Sequence, residues 1–261
     1  MKIHILCENT ALSPDYKAGH GLSLYIESAG QKILFDFGQS DIFAENAEKL
    51  GLDLREIDFA FLSHGHYDHG GGIKSFMEIN RHAPIYISPA AFGPYYNAQD
   101  KYIGLEQSLK GHPRFRILNE AIELNNAELY PAFNDLNFPL DSAGLQEKSD
   151  ACFIPDSFSH EQYLLLNEDG RRILISGCSH RGILNIAEHF KPDVLIGGFH
   201  FMKQEIKDGK NPILDKAAEI LNSLPCTYYT CHCTGLSQYE YLKNLMGNRL
   251  NYLSSGKSLV I

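Results

Sequence analysis

The sequence lacks long hydrophobic runs and strongly basic segments. No apolar run approaches the ~20 residues that cross a bilayer as a helix, so we expect no membrane-spanning segment. No basic run is longer than Arg171-Arg172, and 32 acidic residues outnumber 23 basic ones to give a net charge of −9. Nucleic-acid-binding proteins present a basic face to the phosphates, so this balance argues against a nucleic-acid partner.

The start of the chain also lacks the features of a secretory signal. It has neither a long apolar stretch nor a small-residue cleavage site, which predicts a cytoplasmic protein. Six cysteines are present, and we expect reduced thiols in that compartment. Cysteines close to histidines are then better explained as site residues than as disulfide partners.

No internal repeat, low-complexity tract or Gly/Ser linker divides the chain, which predicts a single domain over residues 1–261. A chain of this length buries roughly 70–75% of its unfolded surface, so it does not need a metal ion in order to fold. Strand-like and helix-like segments alternate, which indicates an α/β protein. The stretch from about 90 to 150 is aromatic and weakly periodic, and we interpret it as a lid-like insertion.

Polar side chains follow many of the predicted strands. Ligand sites in α/β proteins lie at the carboxyl ends of strands, so these side chains are expected to meet at one edge. The residues concerned are Asp36, His64, Cys178, His180, His200 and His232.

The densest group lies in the loop 63–72, which reads SHGHYDHGGG. Four residues able to bind zinc, iron or manganese, namely His64, His66, Asp68 and His69, fall within six positions. In an extended segment, His64 and His66 point to the same side, and a tightening turn would then bring the other two towards a second ion. The chance of such a motif arising in this composition is roughly 10⁻³.

At this point the chain resembles the metallo-β-lactamase superfamily, and within it the branch named for dihydropteroate-synthase-like proteins or dihydropterin ribofuranosyl-aminobenzene 5′-phosphate synthases. The resemblance implies a four-layer αβ/βα sandwich with one or two divalent ions at one edge, zinc before iron or manganese. It rests on the 63–72 loop and on the motifs GHGLS at 19–23, ILFDFG at 33–38, SGCSH at 176–180, GGFH at 197–200 and HCTG at 232–235.

The resemblance also implies the ligand set. His64, His66 and a later histidine would bind the first ion, and Asp68, His69 and the last histidine would bind the second. His232 matches the last position, and His160, 18 residues before Cys178, fits the third ligand of the first ion.

The chain departs from the superfamily pattern at the residue that bridges the two ions. The usual Gly-Asp is replaced by Gly177-Cys178. A thiolate can ligate zinc or iron, and His180 lies two residues further on, so either side chain could take this position.

These residues predict a metal-dependent hydrolase that acts on a small molecule, which the branch resemblance implies to be phosphorylated or pterin-like. A bound cation lowers the pKa of water from 15.7 to about 7, and Asp68 would hold that water or accept its proton. His200 follows a Gly-Gly pair and is the candidate substrate-binding residue. Asp36 is expected to orient a ligand histidine, and His20 to lie at the rim of the site.

Two other interpretations remain open. A single-iron sulfur dioxygenase would bind one iron and consume oxygen. A metal-binding or sensor protein without catalytic activity would have saturated coordination and no turnover. Cys231 and Cys233 fit packing, with redox or ligand roles as the alternative, and Tyr95-Tyr96 could form a substrate platform or pack within the lid.

Overall fold

A computed structural model describes residues 1–150 and 152–261 of the chain. Its strands are β1 (Lys2–Cys7), β2 (Ser23–Ser28), β3 (Gln31–Phe35), β4 (Phe59–Phe61), β5 (Ile85–Ile87), β6 (Tyr95–Tyr96), β7 (Phe115–Ile117), β8 (Ile122–Leu124), β9 (Ala127–Pro131), β10 (Gln146–Ser149), β11 (Cys152–Pro155), β12 (Gln162–Glu168), β13 (Arg171–Ile175), β14 (Val194–Ile196), β15 (Thr227–Thr230), β16 (Leu250–Tyr252) and β17 (Ser258–Val260). Its α-helices are α1 (Ile42–Lys49), α2 (Tyr67–Gly70), α3 (Ile73–Ile79), α4 (Ile183–Phe190), α5 (Pro212–Ser223) and α6 (Leu236–Met246).

Two seven-stranded sheets carry the fold. The first has the order β17-β1-β2-β3-β4-β5-β7, and the second has the order β16-β15-β14-β13-β12-β9-β8. Strands β3, β4, β5 and β7 are parallel to one another, as are β13 to β16. Hairpins join β2 to β3 and β12 to β13.

Side chains alternate between the two faces of each strand and so pack the layers of the fold against one another. In β3, Ile33 and Phe35 belong to the core between the two sheets, whereas Leu34 packs on the helical side with Phe43 of α1. In β13 the same period of two applies, and Leu174 faces the helices α4 to α6. Helices therefore cover the outer face of each sheet, and the expected four-layer α/β sandwich is confirmed.

Strong capping signals in the sequence set some of the helix boundaries. The Asn211 side chain accepts hydrogen bonds from the backbone N–H groups of Ile213 and Leu214, both at 2.9 Å, and Pro212 occupies the first helical position of α5. These are the cap and proline signals that the sequence presents. The short strand β16 has no such signal, and it forms because β15 offers a parallel edge.

The segment expected to be a lid-like insertion contains two kinds of structure. Its middle contributes β7 to the first sheet and β8 and β9 to the second. Its outer parts form a separate small sheet in which β10 pairs with β6 and with β11, which lies just beyond the expected boundary. This segment borders the candidate site through the contact of Tyr95 with His160 and through Asn97, Ile103 and Leu145.

The parallel strands fix where the polar residues meet. The carboxyl ends of β3 and β4 in one sheet, and of β13, β14 and β15 in the other, precede the side chains singled out in the sequence. Parallel neighbours end at the same edge, so these segments converge. In the part of the chain that is described, no helix is long and hydrophobic enough to cross a membrane.

Candidate metal centre

The 63–72 loop changes conformation between its two pairs of ligand-type residues. His66 has an extended backbone, with φ −99° and ψ 149°, and precedes α2, which carries Asp68 and His69. The N–H groups of His69 and Gly70 return to the His66 carbonyl at 3.1 and 3.0 Å. A Cβ at Gly65 would lie 2.2 Å from the Ala91 carbonyl oxygen, so this close approach requires glycine.

Three histidines of the site are oriented through Nδ1. His64 Nδ1 lies 2.8 Å from Ser63 Oγ, and His232 Nδ1 lies 2.8 Å from Asn9 Oδ1. His69 Nδ1 lies 2.6 Å from Asp36 Oδ2. Ring orientation by a second hydrogen bond is typical of metal-ligating histidines, and it leaves Nε2 free to bind.

The Nε2 atoms of these histidines lie close to other ligand-type side chains. His64 Nε2 lies 3.3 Å from His180 Nε2, and His69 Nε2 lies 3.1 Å from Cys178 Sγ. His232 Nε2 lies 3.2 Å from Asp68 Oδ2. All of these side chains are buried at the strand ends.

His66 and Cys178 complete this arrangement. The Nε2 atom of His66 is buried and has no hydrogen-bond partner, a costly state for a polar atom. Cys178 Sγ lies within 4.8 Å of two groups of donors, one with His64 and His180 and the other with His69 and His232. Imidazole, thiolate and carboxylate donors at this spacing fit a divalent transition-metal ion.

His160 has a different environment. Its Nδ1 accepts a hydrogen bond from the Gly65 N–H at 2.9 Å, and its Nε2 lies 3.1 Å from Asp156 Oδ2. Asp156 Oδ2 is also 3.8 Å from His66 Nε2. The structure thus places His160, together with His66 and Asp156, in a further group of donors spaced for a metal ion, and both of its ring nitrogens also lie within hydrogen-bond distance of neighbours.

Burial keeps two of the converging rings neutral. It lowers the pKa of His64 well below the usual value, and the neighbouring imidazoles, His69 first, lower it further. Burial likewise lowers the pKa of His180 well below its usual value, and His200 adds to this effect. A neutral imidazole has the lone pair that a cation requires.

The charges around Asp68 favour its ionised form. Burial raises the pKa of Asp68, but the charge of His69 and the hydrogen bonds from His20 and His232 lower it by more, so that the net pKa lies well below the usual value. Burial also lowers the pKa of His69, yet the Asp36 and Asp68 carboxylates raise it by more, to about 9. A cation bound beside Asp68 would take the place of the proton on His69, since a ligating imidazole must be neutral.

Two buried glutamates that the sequence did not single out fix the turns that carry His180 and His232. Glu161 Oε1 accepts from the His180 N–H at 2.7 Å, and its Oε2 accepts from the Arg181 N–H at 2.9 Å. Glu8 Oε1 accepts from the His232 N–H at 2.7 Å. Glu8 lies one residue after a predicted strand, and no local motif marks either glutamate.

Replacing Glu161 with glutamine is expected to weaken metal binding. The amide keeps one acceptor oxygen but points N–H groups at a backbone donor, so the turn bearing His180 must shift. We expect about 10- to 100-fold weaker zinc affinity, as for other residues that orient ligands. Competition with a chromogenic chelator measures it, with the exposed helix residue Glu219→Gln as the matched control. Equal affinities for the two variants would contradict this role for Glu161.

A cavity of about 190 Å³, here called the metal cavity, opens onto these residues. His200, the candidate substrate-binding residue, lies on its wall, and its ring centroid is 4.4 Å from that of His180. His20 lies at the rim, with its side chain 43% exposed and its Nε2 3.3 Å from Asp68 Oδ2. Lys203 also lines this cavity and supplies a positive charge.

The remaining candidates have structural contacts. All six cysteines carry free thiols, and five of them are buried. The Cys233 thiol donates to the Cys178 carbonyl oxygen at 3.4 Å, and so stabilises that turn. Tyr95 stacks on His160 with ring centroids 3.9 Å apart, whereas Tyr96 packs against Tyr102.

Two proteins of known sequence are similar to this chain over nearly its whole length. An uncharacterised protein of Methanocaldococcus jannaschii is 28% identical over 268 aligned positions, which cover 99% of this chain and 100% of that protein. The 7,8-dihydropterin-6-methyl-4-(beta-D-ribofuranosyl)-aminobenzene-5'-phosphate synthase of the same organism is 27% identical, over 98% of this chain and 95% of its own length.

Solved structures show the same fold. Tm1679, described as a metal-dependent hydrolase of the beta-lactamase superfamily, superposes with a TM-score of 0.81 at 28% identity, over 100% of this chain and 99% of that one. YhfI of Bacillus subtilis superposes with a TM-score of 0.62 at 14% identity, over 99% and 98% of the two chains, and supports the fold alone. The sequence model of the superfamily matches residues 16–210. This chain therefore belongs to the metallo-beta-lactamase superfamily.

Proposed function

We propose that the protein is a metal-dependent hydrolase that acts on a small phosphorylated or pterin-like molecule. The observation that carries this proposal is the buried, unpartnered Nε2 of His66 beside the facing Nε2 atoms of His64 and His180. Burial lowers the pKa values of His64 and His180, so both rings keep a lone pair that a cation can bind, and the His66 ring lies beside them at centroid distances of 4.6 and 5.0 Å. Packing of the core alone does not explain this arrangement of buried imidazoles, whereas a bound cation would.

We assign His64, His66 and His180 to the first ion, and Asp68, His69 and His232 to the second. Cys178 belongs to both groups of donors and fits the bridging position. His160 is then a positioning residue, which holds the loop at Gly65 and reaches Asp156.

One or two ions bound here, zinc first and iron or manganese as alternatives, would activate water and stabilise the negative charge that develops on an ester or phosphoryl oxygen. Asp68 is the candidate catalytic residue. Its Oδ2 faces the cavity between His20 and His232, it is ionised, and it can accept a proton from an attacking water. Transfer of that proton onward to the departing group would complete hydrolysis.

The substrate class follows from the cavity wall. Lys203 adds a positive charge and His200 a neutral imidazole, a combination suited to an anionic group such as phosphate. The similarity to a synthase whose name includes a dihydropterin and a 5'-phosphate supports the same class of molecule.

Metal analysis coupled to a substrate screen tests the proposal. We expect one to two equivalents of zinc, iron or manganese per chain, and turnover of a phosphodiester, thioester or lactone that is lost on chelation and restored by the metal. Stoichiometric metal with no turnover on any of these would contradict a hydrolase and favour a sensor. One iron with oxygen consumption would indicate a dioxygenase instead.

The role of His160 gives a separate expectation. In His160→Ala, we expect the metal content per folded chain to stay within error of the wild type, while stability falls by about 1–3 kcal/mol because the Gly65 N–H and Asp156 lose their partner. His180→Ala, by contrast, is expected to lose one ion. Elemental analysis after dialysis and urea unfolding measure both. Loss of metal from the His160 variant with retention in the His180 variant would reverse the assignment.

A further inference from the structure

A second cavity lies beside the metal cavity. It has a volume of about 390 Å³, within the ~300–1,000 Å³ range typical of small-molecule sites. The two cavities share the imidazoles of His180 and His200. The two cavities therefore adjoin along these two side chains, close enough for one molecule to reach both.

Its lining is aromatic and nearly uncharged. The rings of Phe138, Phe199 and Phe201 join the two shared imidazoles, and we call this space the aromatic cavity. Among the described residues that line it there is no lysine or arginine, and Asp141 is the one acidic side chain. The metal cavity, by contrast, includes Lys203.

This difference in charge indicates which end of a ligand each cavity would bind. An anionic group is attracted to Lys203 and repelled by Asp141, so it favours the metal cavity. An uncharged ring gains from burial among aromatic side chains, since apolar contact and edge-to-face packing both stabilise it.

We propose that the aromatic cavity binds an uncharged aromatic ring of the substrate while the reacting anionic group of the same molecule lies in the metal cavity. The proposal rests on the proposed hydrolase function for the identity of the metal cavity. It predicts that substrates consist of a phosphate or comparable ester joined by a short link to an aromatic or heteroaromatic ring. Ser179 and Gln204, which also line the cavity, supply polar atoms for ring nitrogens or oxygens.

Paired non-hydrolysable probes test this assignment on the metal-loaded protein. Methylphosphonate and 2-naphthylmethylphosphonate have the same anionic head and differ by the ring. We expect the naphthyl compound to bind at least about 10-fold more tightly by calorimetry, given the apolar area that it buries. Equal affinities within a factor of two would overturn the proposal.

Variants of the cavity wall show whether the gain in affinity arises in the aromatic cavity. Leu184→Trp adds an indole at the cavity wall in α4 and is expected to reduce the ratio of the two affinities to below about 3. Leu245→Trp makes the same change at an exposed position of α6, outside the cavity lining, and is expected to keep the wild-type ratio. Phe201→Ala, which removes one wall ring, serves if the first variant does not fold, and the same reduction is expected. An unchanged ratio in folded Leu184→Trp or Phe201→Ala would overturn the proposal.

The metal-free protein separates this proposal from the proposed function. Uncharged 2-naphthalenemethanol is expected to bind the metal-free wild type and to bind Leu184→Trp at least about 10-fold more weakly. Ring-dependent binding without any turnover would contradict the hydrolase function and still support the aromatic cavity. Turnover that is equal for aromatic and methyl esters would contradict the cavity assignment and leave the hydrolase function standing.

Discussion

His66→Ala is expected to lose the first metal ion and to reduce kcat/KM by about 10³-fold, equivalent to about 4 kcal/mol of transition-state stabilisation. The Nε2 of His66 is buried without a hydrogen bond, so its replacement removes a metal ligand while breaking no hydrogen bond at that atom. We expect folding to be retained for that reason. Metal analysis after dialysis and steady-state kinetics on the best substrate of the screen measure the effect.

The control is His82→Ala, which removes an exposed imidazole outside the lining of the metal cavity. It should leave metal content and kcat/KM unchanged. Wild-type activity in the His66 variant, with the metal still bound, would remove the basis of the proposed function.

Asp36→Ala is expected to lower the free energy of unfolding of the metal-free protein by about 3–5 kcal/mol, the usual cost of removing one member of a buried charged pair. Its carboxylate accepts from the Ser63 N–H and hydroxyl, each at 2.7 Å, and pairs with His69 Nδ1 at 2.6 Å. Three donors are thus left without an acceptor in the interior. Urea unfolding followed by circular dichroism measures the change, with exposed Asp135→Ala as the control.

Asp36→Asn separates the effect of the side-chain charge from the effect of the backbone conformation. Asp36 has φ 58°, which asparagine adopts far more readily than alanine. We expect the asparagine variant to be less destabilised than the alanine variant, but to bind zinc about 10- to 100-fold more weakly because His69 loses its anionic partner. Wild-type zinc affinity in Asp36→Asn would show that the carboxylate does not orient His69.

The motif residues could be placed from the sequence because their arrangement is local. His64, His66, Asp68 and His69 lie on one short loop, and the change from extended backbone to α2 brings the two pairs together through hydrogen bonds between near neighbours. The strand ends could be foreseen for a similar reason, since parallel strands in one sheet end at the same edge.

The role of His160 could not be worked out in this way. His160 has the expected spacing from Cys178, but spacing does not reveal which atoms a ring nitrogen meets. The Gly65 N–H, 95 positions earlier in the chain, is what reaches His160 Nδ1. Glu8 is still more remote from His232, by 224 positions, and yet accepts its N–H.

By itself, the sequence determined the family, the alternation of strands and helices, and the loop that carries four ligand-type residues, because periodicity, caps and short motifs act between neighbours along the chain. Only the tertiary structure decided which imidazole nitrogens face one another, which buried carboxylates hold them, and where the aromatic cavity opens. Those features depend on contacts between segments that are distant in sequence, which the packing of the two sheets brings within hydrogen-bond distance.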